Sequence, residues 1–198
     1  MENKQLNTIT SYAKEHGVPI MKEEGMRFLL AYLKEHPEIN KILEVGTAIG
    51  YSAIQMAGVR DNIYVDTIEI VEDNVKLARD NIAAYGLSDR IHVYHMDAME
   101  YQTFQYYDFY FIDAAKSQYA HYLEHFLPTS YVGSVFLFDN LNFHGIVDDE
   151  SKSHNRSTLQ MTRKIKKFRD KIQKDPRFET TFYPEIGDGI LIAKRILE

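Results

Sequence analysis

Asp113, Lys116, Asp139 and Asn140 are the residues whose types and spacing could do chemistry, and they sit in the stretches FIDAAKSQY and FDN. Each aspartate follows a short apolar run, Asp108 to Ile112 or Val135 to Phe138, the pattern of a buried strand that ends on a polar residue. Two carboxylates brought to one crevice repel each other unless a cation separates them. Mg²⁺ suits such a set, because it takes oxygen ligands octahedrally and keeps positions open for water or substrate oxygens. Lys116 lies one helical turn beyond Asp113 if a helix begins there, so its amine can face the same crevice. A lysine amine beside a divalent cation suits a general base that removes a proton from an acceptor hydroxyl. Taken singly, each of these residues also reads as an ordinary strand-end acid or surface lysine.

A second stretch, KILEVGTAIGYSAIQMA from Lys41 to Ala57, is a short apolar run, a turn punctuated by Gly46 and Gly50, and a helix of small residues starting near Tyr51. Such a turn leaves backbone N–H groups and a helix N-terminus pointing into one crevice, which suits the polar end of a nucleotide-like ligand. An ordinary strand-to-helix connection has the same appearance. Glu69, at the end of a strand predicted from Ile63 to Ile68, stands where an acid can accept hydrogen bonds from ribose hydroxyls. Asp97 closes the next strand, Ile91 to Tyr94, and could receive an adenine amino group or another donor.

The elements that must position these residues follow from periodicity. Helices are predicted from Gln5 to His16, stopped by Gly17, and from Lys22 to His36, with Met26, Leu29, Leu30 and Leu33 as an apolar stripe. The link Val18 to Met21 could fold over the crevice. Strands then alternate with helices marked by Val75, Ala78, Ile82 and Tyr85 and by Tyr119, Tyr122, Leu123 and Phe126, which argues for a parallel sheet covered on both faces. Glu69, Asp97, Asp113, Asp139 and Asn140 all fall at the carboxyl ends of strands, the edge that lines the ligand crevice in open α/β sheets. A basic helix is predicted from Thr158 to Lys174, opened by a Ser157/Gln160 capping box and buried along Met161, Ile165, Phe168 and Ile172. Phe178 to Tyr183 and Gly189 to Lys194 read as a closing hairpin.

The 198 residues, 44% hydrophobic and 26% charged, fit one globular domain. Within it, 1–36 would be helices covering the crevice, and 141–174 a substrate loop and basic helix. The absence of cysteine excludes disulfides, thiolate metal sites and cysteine nucleophiles. The polar start MENKQLNTIT carries no apolar signal core and no run approaches membrane-spanning length, so a cytoplasmic address without membrane contact is expected. A net charge of -6 hides an asymmetry: residues 152–174 hold nine Lys/Arg and one acid, Asp170, an excess of +8 that leaves -14 for the rest. An acidic body with one basic arm is a more specific pattern than its total.

The stretches ILEVGTAIGYSAIQMA, FIDAAKSQY, FDN and GDGILIAKR resemble the cation-dependent class I O-methyltransferases, the group containing the catechol and caffeoyl-CoA enzymes. YAKEHGVPIM and the turn from Thr47 to Ser52 are most similar to its bacterial tRNA 5-hydroxyuridine members. The resemblance implies a Rossmann-like α/β fold with a seven-stranded, mostly parallel sheet, an antiparallel last strand and helices on both faces, commonly as a homodimer. It implies that S-adenosylmethionine contacts Met21, the glycine turn including Gly46, Ser52, Glu69 through its ribose, and Asp97. Asp113, Asp139 and Asn140 would be the Mg²⁺ ligands, with Asp113 also close to the cofactor, and Lys116 would be the base. His95-Met96-Asp97-Ala98 departs from the glycine usual in the family before that aspartate.

In 5-hydroxyuridine the 5-hydroxyl and the 4-carbonyl oxygen form a vicinal pair, as the two hydroxyls of a catechol do, so one metal site could serve either acceptor. A tRNA anticodon loop would add phosphates for Arg156, Arg163, Lys164 and Lys167, and an exposed base to stack on Phe143 or Tyr119. A small catechol or phenylpropanoid acceptor, with the basic helix merely a solvated face, is the alternative. A third reading is a non-catalytic RNA-binding protein that retains the nucleotide pocket, but such a module has no need of a metal set and a base together.

Overall fold

β1 (Lys41–Val45) is the axis of the fold, because its side chains alternate between two separate cores. Ile42 packs into one and Leu43 and Val45 into the other, all essentially without solvent exposure, as the period of two in a strand requires. The computed structural model describes residues 3–197, with side chains from residue 6 on; residues 1, 2 and 198 of the expected domain lie outside that description.

Beside β1 run β2 (Tyr64–Glu69) and β3 (Ile91–His95) on one side, and β4 (Phe109–Ile112) and β5 (Val135–Phe138) on the other, all parallel. β6 (Phe178–Tyr183) and β7 (Ile190–Arg195) complete a seven-stranded sheet of order β3-β2-β1-β4-β5-β7-β6, with β7 antiparallel to both neighbours. The expected fold class is therefore observed. One face is covered by α1 (Asn3–His16), α2 (Glu23–Glu35) and α3 (Tyr51–Ala57), which contribute Ile9, Leu29, Leu33 and Ile54 to the first core. α4 (Glu72–Ala84) adds Ala78 and Ile82 to the same core. The other face is covered by α5 (Tyr119–Phe126) and α6 (Arg156–Ile172) through Leu123, Phe126, Ile165, Phe168 and Ile172.

Strand order reverses between β1 and β4, the switch point where open α/β sheets leave a crevice. Register decides what reaches it. Val45 pairs with Ile68 and Ile112, and Ile112 with Phe138, so four strands end in line and the residues at or just past their ends, Gly46, Glu69, Asp113 and Asp139, share one edge. Among the described residues no helix is long and apolar enough to cross a membrane.

Two expectations need correction. α6 begins two residues earlier than the Ser157/Gln160 pattern predicts, because Asn155 is the N-cap and its side chain accepts the Thr158 N–H at 3.0 Å; asparagine ranks with serine at that position. The helix also ends at Ile172, not Lys174. Lys116 opens a 3₁₀ turn, Lys116–Gln118, that precedes α5, and this tighter turn still leaves its Nζ 3.4 Å from Asp113 Oδ1.

Candidate active site

At the aligned carboxyl edge lies a cavity of about 630 Å³, within the usual range for small-molecule sites. Met21, Gly46, Ser52, Glu69, Asp97, Asp113, Lys116, Asp139 and Asn140 all line it. The sequence candidates for cofactor, metal and proton transfer are thus brought to one place. Pro19, Ile20 and Met21, from the link between α1 and α2, form part of its wall, as the expected cover over the crevice.

The glycine turn behaves differently from the expectation. Its N–H groups are in part taken up within the fold: those of Gly46 and Thr47 bond to Ile68 O at 3.0 and 3.2 Å, and that of Gly50 to Thr47 O at 2.9 Å. Ala48 N–H donates to Glu69 Oε2 at 2.8 Å. The physical reason is depth, since a turn that dives against β2 and β4 must satisfy its own donors. What the turn offers instead is an oriented carboxylate. Glu69 is held by Ala48 N–H at one oxygen and Val71 N–H at the other, both 2.8 Å, and retains lone pairs toward the cavity. Asp97 is likewise held, accepting the Met99 N–H at 2.8 Å.

Beneath the turn is an acid whose role sequence reasoning missed. Glu44 is fully buried, accepting the Ser52 hydroxyl at one oxygen and the Thr67 hydroxyl, at 2.5 Å, at the other. Ser52 thus lines the cavity while its hydroxyl hydrogen is committed inward. Burial pushes the Glu44 carboxyl up to about 7 despite those two hydrogen bonds. Between the ordinary carboxylate range and pH 7 the folded chain therefore holds a proton that the unfolded chain releases, so stability falls as pH rises through that window. Glu44→Gln keeps the shape without the charge. Its stability, measured by denaturant unfolding from pH 5 to 8, should fall less than that of the wild type, by up to roughly 3 kcal/mol. Parallel profiles would contradict this.

Asp139 is 2% exposed, and its Oδ1 accepts the N–H of Asn140 at 2.7 Å. Burial first, and then the neighbouring Asp113 carboxylate, push its carboxyl up to about 7. An acid held above its usual range by a second acid is a site that a cation would relieve. Among the described residues no three His, Cys, Asp or Glu side chains gather into a metal cluster; the third donor would have to be the amide oxygen of Asn140. Two carboxylates and an amide are hard oxygen donors that fit Mg²⁺, and Asn140 is held toward the cavity in a left-handed conformation, φ 61°. Lys116 faces the same place, its amine largely shielded and beside Asp113.

Phe143 lines the cavity. Tyr119 does not: it is buried in the second core, and its hydroxyl donates to Asp139 O at 2.7 Å, so it props the strand end and cannot stack on a ligand. Two further lining residues had no strong sequence signal, His144 and Asp188. Asp188 lies in the stretch GDGILIAKR that carries the family resemblance, which gave it no role of its own.

The basic helix is split. Arg163 is engaged by Glu150 through Nε and a terminal nitrogen at 2.8 and 2.6 Å, and Lys166 and Arg169 by Asp148. Arg169 is buried, with its guanidinium 5.0 Å from the Phe182 ring. Among the described residues Arg156, Lys164 and Lys167 form no ion pair and are exposed. None of these four candidate phosphate contacts lines the cavity.

The chain is similar over nearly its whole length to known proteins. The caffeoyl-CoA O-methyltransferase of Populus kitakamiensis is 28% identical over 198 residues, covering 96% of this chain and 83% of that protein. A crystal structure from Staphylococcus aureus, provisionally named a caffeoyl-CoA O-methyltransferase, superposes with a TM-score of 0.90 at 30% identity, over 96% of this chain and 91% of that one. The O-methyltransferase of Bacillus cereus, solved in complex with SAH, superposes at 0.83 with 27% identity over 98% and 92%. The O-methyltransferase family model matches residues 2–196. With nearly its whole length matched, the chain belongs to the O-methyltransferase family.

Proposed function

We propose that the chain transfers the methyl group of S-adenosylmethionine to the 5-hydroxyl of 5-hydroxyuridine at the tRNA wobble position. The observation that carries the chemistry is the meeting of Glu69, Asp97, Asp113, Lys116, Asp139 and Asn140 around one cavity. Glu69 and Asp97, each fixed by backbone N–H groups, are placed to accept hydrogen bonds from the nucleoside end of the donor. Met21 and its neighbours cover that end and exclude water. Asp113, Asp139 and Asn140 would hold Mg²⁺, which when bound supplies positive charge to two vicinal acceptor oxygens. Lys116, whose amine faces the cavity beside Asp113, is placed to take the proton of the acceptor hydroxyl. The oxygen then forms the new C–O bond as the C–S bond of the sulfonium breaks, leaving a thioether. Alignment is the main contribution of the fold, worth up to roughly 7–11 kcal/mol in favourable cases.

For the acceptor, the support is the exposed, unpaired Arg156, Lys164 and Lys167 on an otherwise acidic chain, which suit a phosphate backbone. Phe143 at the cavity wall suits a stacked base. A second reading, a caffeoyl-CoA-type phenolic acceptor, is favoured by the similarity to the Populus enzyme. Nucleoside mass analysis of tRNA from cells lacking the gene separates the two: accumulated 5-hydroxyuridine and lost 5-methoxyuridine are expected, and an unchanged profile would reject the tRNA reading.

A further inference from the structure

The turn between β6 and β7 reaches into the cavity and carries Asp188, a buried carboxylate on which two other segments converge. Its Oδ1 accepts the backbone N–H of His144 at 2.7 Å, and its Oδ2 lies 3.4 Å from His144 Nδ1. Lys22, the residue after Met21 in the cover, places its Nζ 3.9 Å from Oδ1. The main chain repeats the connection: Asn142 N–H donates to Asp188 O, and Leu141 N–H to Gly189 O, both at 2.8 Å. The fit is close, since a Cβ on Gly189 would stand 2.6 Å from Asn142 N.

The loop held in this way needs holding. Phe143, His144 and Gly145 are consecutive residues with φ of 42°, 58° and 74°, and left-handed backbone at two side-chain-bearing residues is costly unless the surroundings enforce it. Phe143 and His144 are also the residues that this loop presents to the cavity. Both oxygens of Asp188 face groups of His144, so the carboxylate is engaged in holding the loop.

We propose that Asp188 is the positioning residue of the acceptor wall. It clamps the Phe143–His144 turn to the end of the sheet, whereas its contact with Lys22, 3.9 Å to a half-exposed amine, is too loose to hold the cover; acceptor binding therefore depends on it, while the glycine turn, Glu69 and the cofactor cover do not. This rests on membership of the O-methyltransferase family and not on the identity of the acceptor.

The test compares Asp188→Ala with Asp188→Asn in the full chain. The amide of Asn retains an oxygen for His144 N–H; alanine does not. In Asp188→Ala, amide hydrogen exchange across residues 141–147 should quicken on the order of tenfold, the scale of one lost anchoring hydrogen bond, while exchange across residues 42–56 stays as in wild type. The Kd for S-adenosylmethionine should stay within about twofold and the KM for the acceptor should rise about tenfold, with kcat changed less. Asp188→Asn should restore slow exchange and most of the KM. KM is read with 5-hydroxyuridine-containing tRNA and with caffeoyl-CoA, using whichever the wild type methylates; inactivity on the tRNA alone rejects the acceptor proposed above and leaves this test intact. Unchanged exchange in 141–147, or a loss of cofactor affinity as large as the loss of acceptor affinity, would overturn the proposal. If Asp188→Ala does not fold, the double variant Asp188→Ala/His144→Gly, in which glycine removes the strain of the left-handed backbone, is compared with His144→Gly alone, which keeps the backbone N–H bond to Asp188: exchange across 141–147 should be quicker in the double variant, and equal exchange in the two would overturn the proposal.

Discussion

If Asp139 is a Mg²⁺ ligand as proposed, Asp139→Ala is expected to reduce methyl transfer by about a thousandfold or more, the scale of losing the metal's charge together with its help in proton removal at the acceptor, while leaving cofactor binding within a factor of two. Asp139 ends β5, whereas Glu69 and the glycine turn belong to β2 and β1, so the donor end of the cavity does not depend on it. Stability should suffer little. The substitution removes a carboxyl that burial and Asp113 already hold at about 7, and it forfeits one hydrogen bond from Asn140 N–H, worth about 1 kcal/mol. Asp139→Asn keeps an acceptor for that N–H and should be as inactive, which would assign the loss to charge and not to packing. Isothermal titration with S-adenosylmethionine, beside a methyl-transfer assay, reads both halves. Retained activity in both variants would contradict the assignment.

The second large effect is structural. Gly46→Ala should lower the melting temperature on the order of 10 °C and weaken cofactor binding, because an added Cβ would stand 2.3 Å from Asp113 O and 2.9 Å from its carbonyl carbon. Those are backbone atoms of β4's end, so no side-chain rotation relieves the collision. The φ of 102° adds strain of about 1–3 kcal/mol for any residue with a side chain, and overpacking adds a similar amount. At about 2–4 °C per kcal/mol for a chain of this size, the sum gives the stated shift. Gly17→Ala is the control: its φ is also left-handed, 66°, but nothing lies within 4 Å of the added Cβ. A Gly46→Ala protein that melts with Gly17→Ala and binds cofactor normally would show that the close approach of β1's turn to β4's end is unimportant.

Much of this was legible in the sequence because it depends on local pattern. Strand ends such as Phe138-Asp139 announce themselves by an apolar run stopping at an acid, and register then does the rest, aligning Val45, Ile68, Ile112 and Phe138. What was not legible depends on partners far away in the chain. Nothing near Glu44 says that it meets Thr67 across a strand, and nothing near Asp188 says that it meets His144 and Lys22. The turn N–H groups looked free because the sequence does not reveal that Glu69 and Ile68 return to accept them. Tyr119 looked like a stacking residue because an aromatic three residues past Lys116 has the right type, yet helical phase turns it into the core. The basic count of α6 overstated its free charge, because Asp148 and Glu150 lie in the preceding loop and fold back onto Arg163, Lys166 and Arg169.

We propose that methyl transfer by this chain requires a divalent cation held beside Asp113, Asp139 and Asn140. The most direct measurement is the methyl-transfer rate of the wild-type chain in excess EDTA, followed by restoration of Mg²⁺. The rate should fall to the level of Asp139→Ala and recover when Mg²⁺ is returned. A rate in EDTA equal to the untreated rate would contradict it.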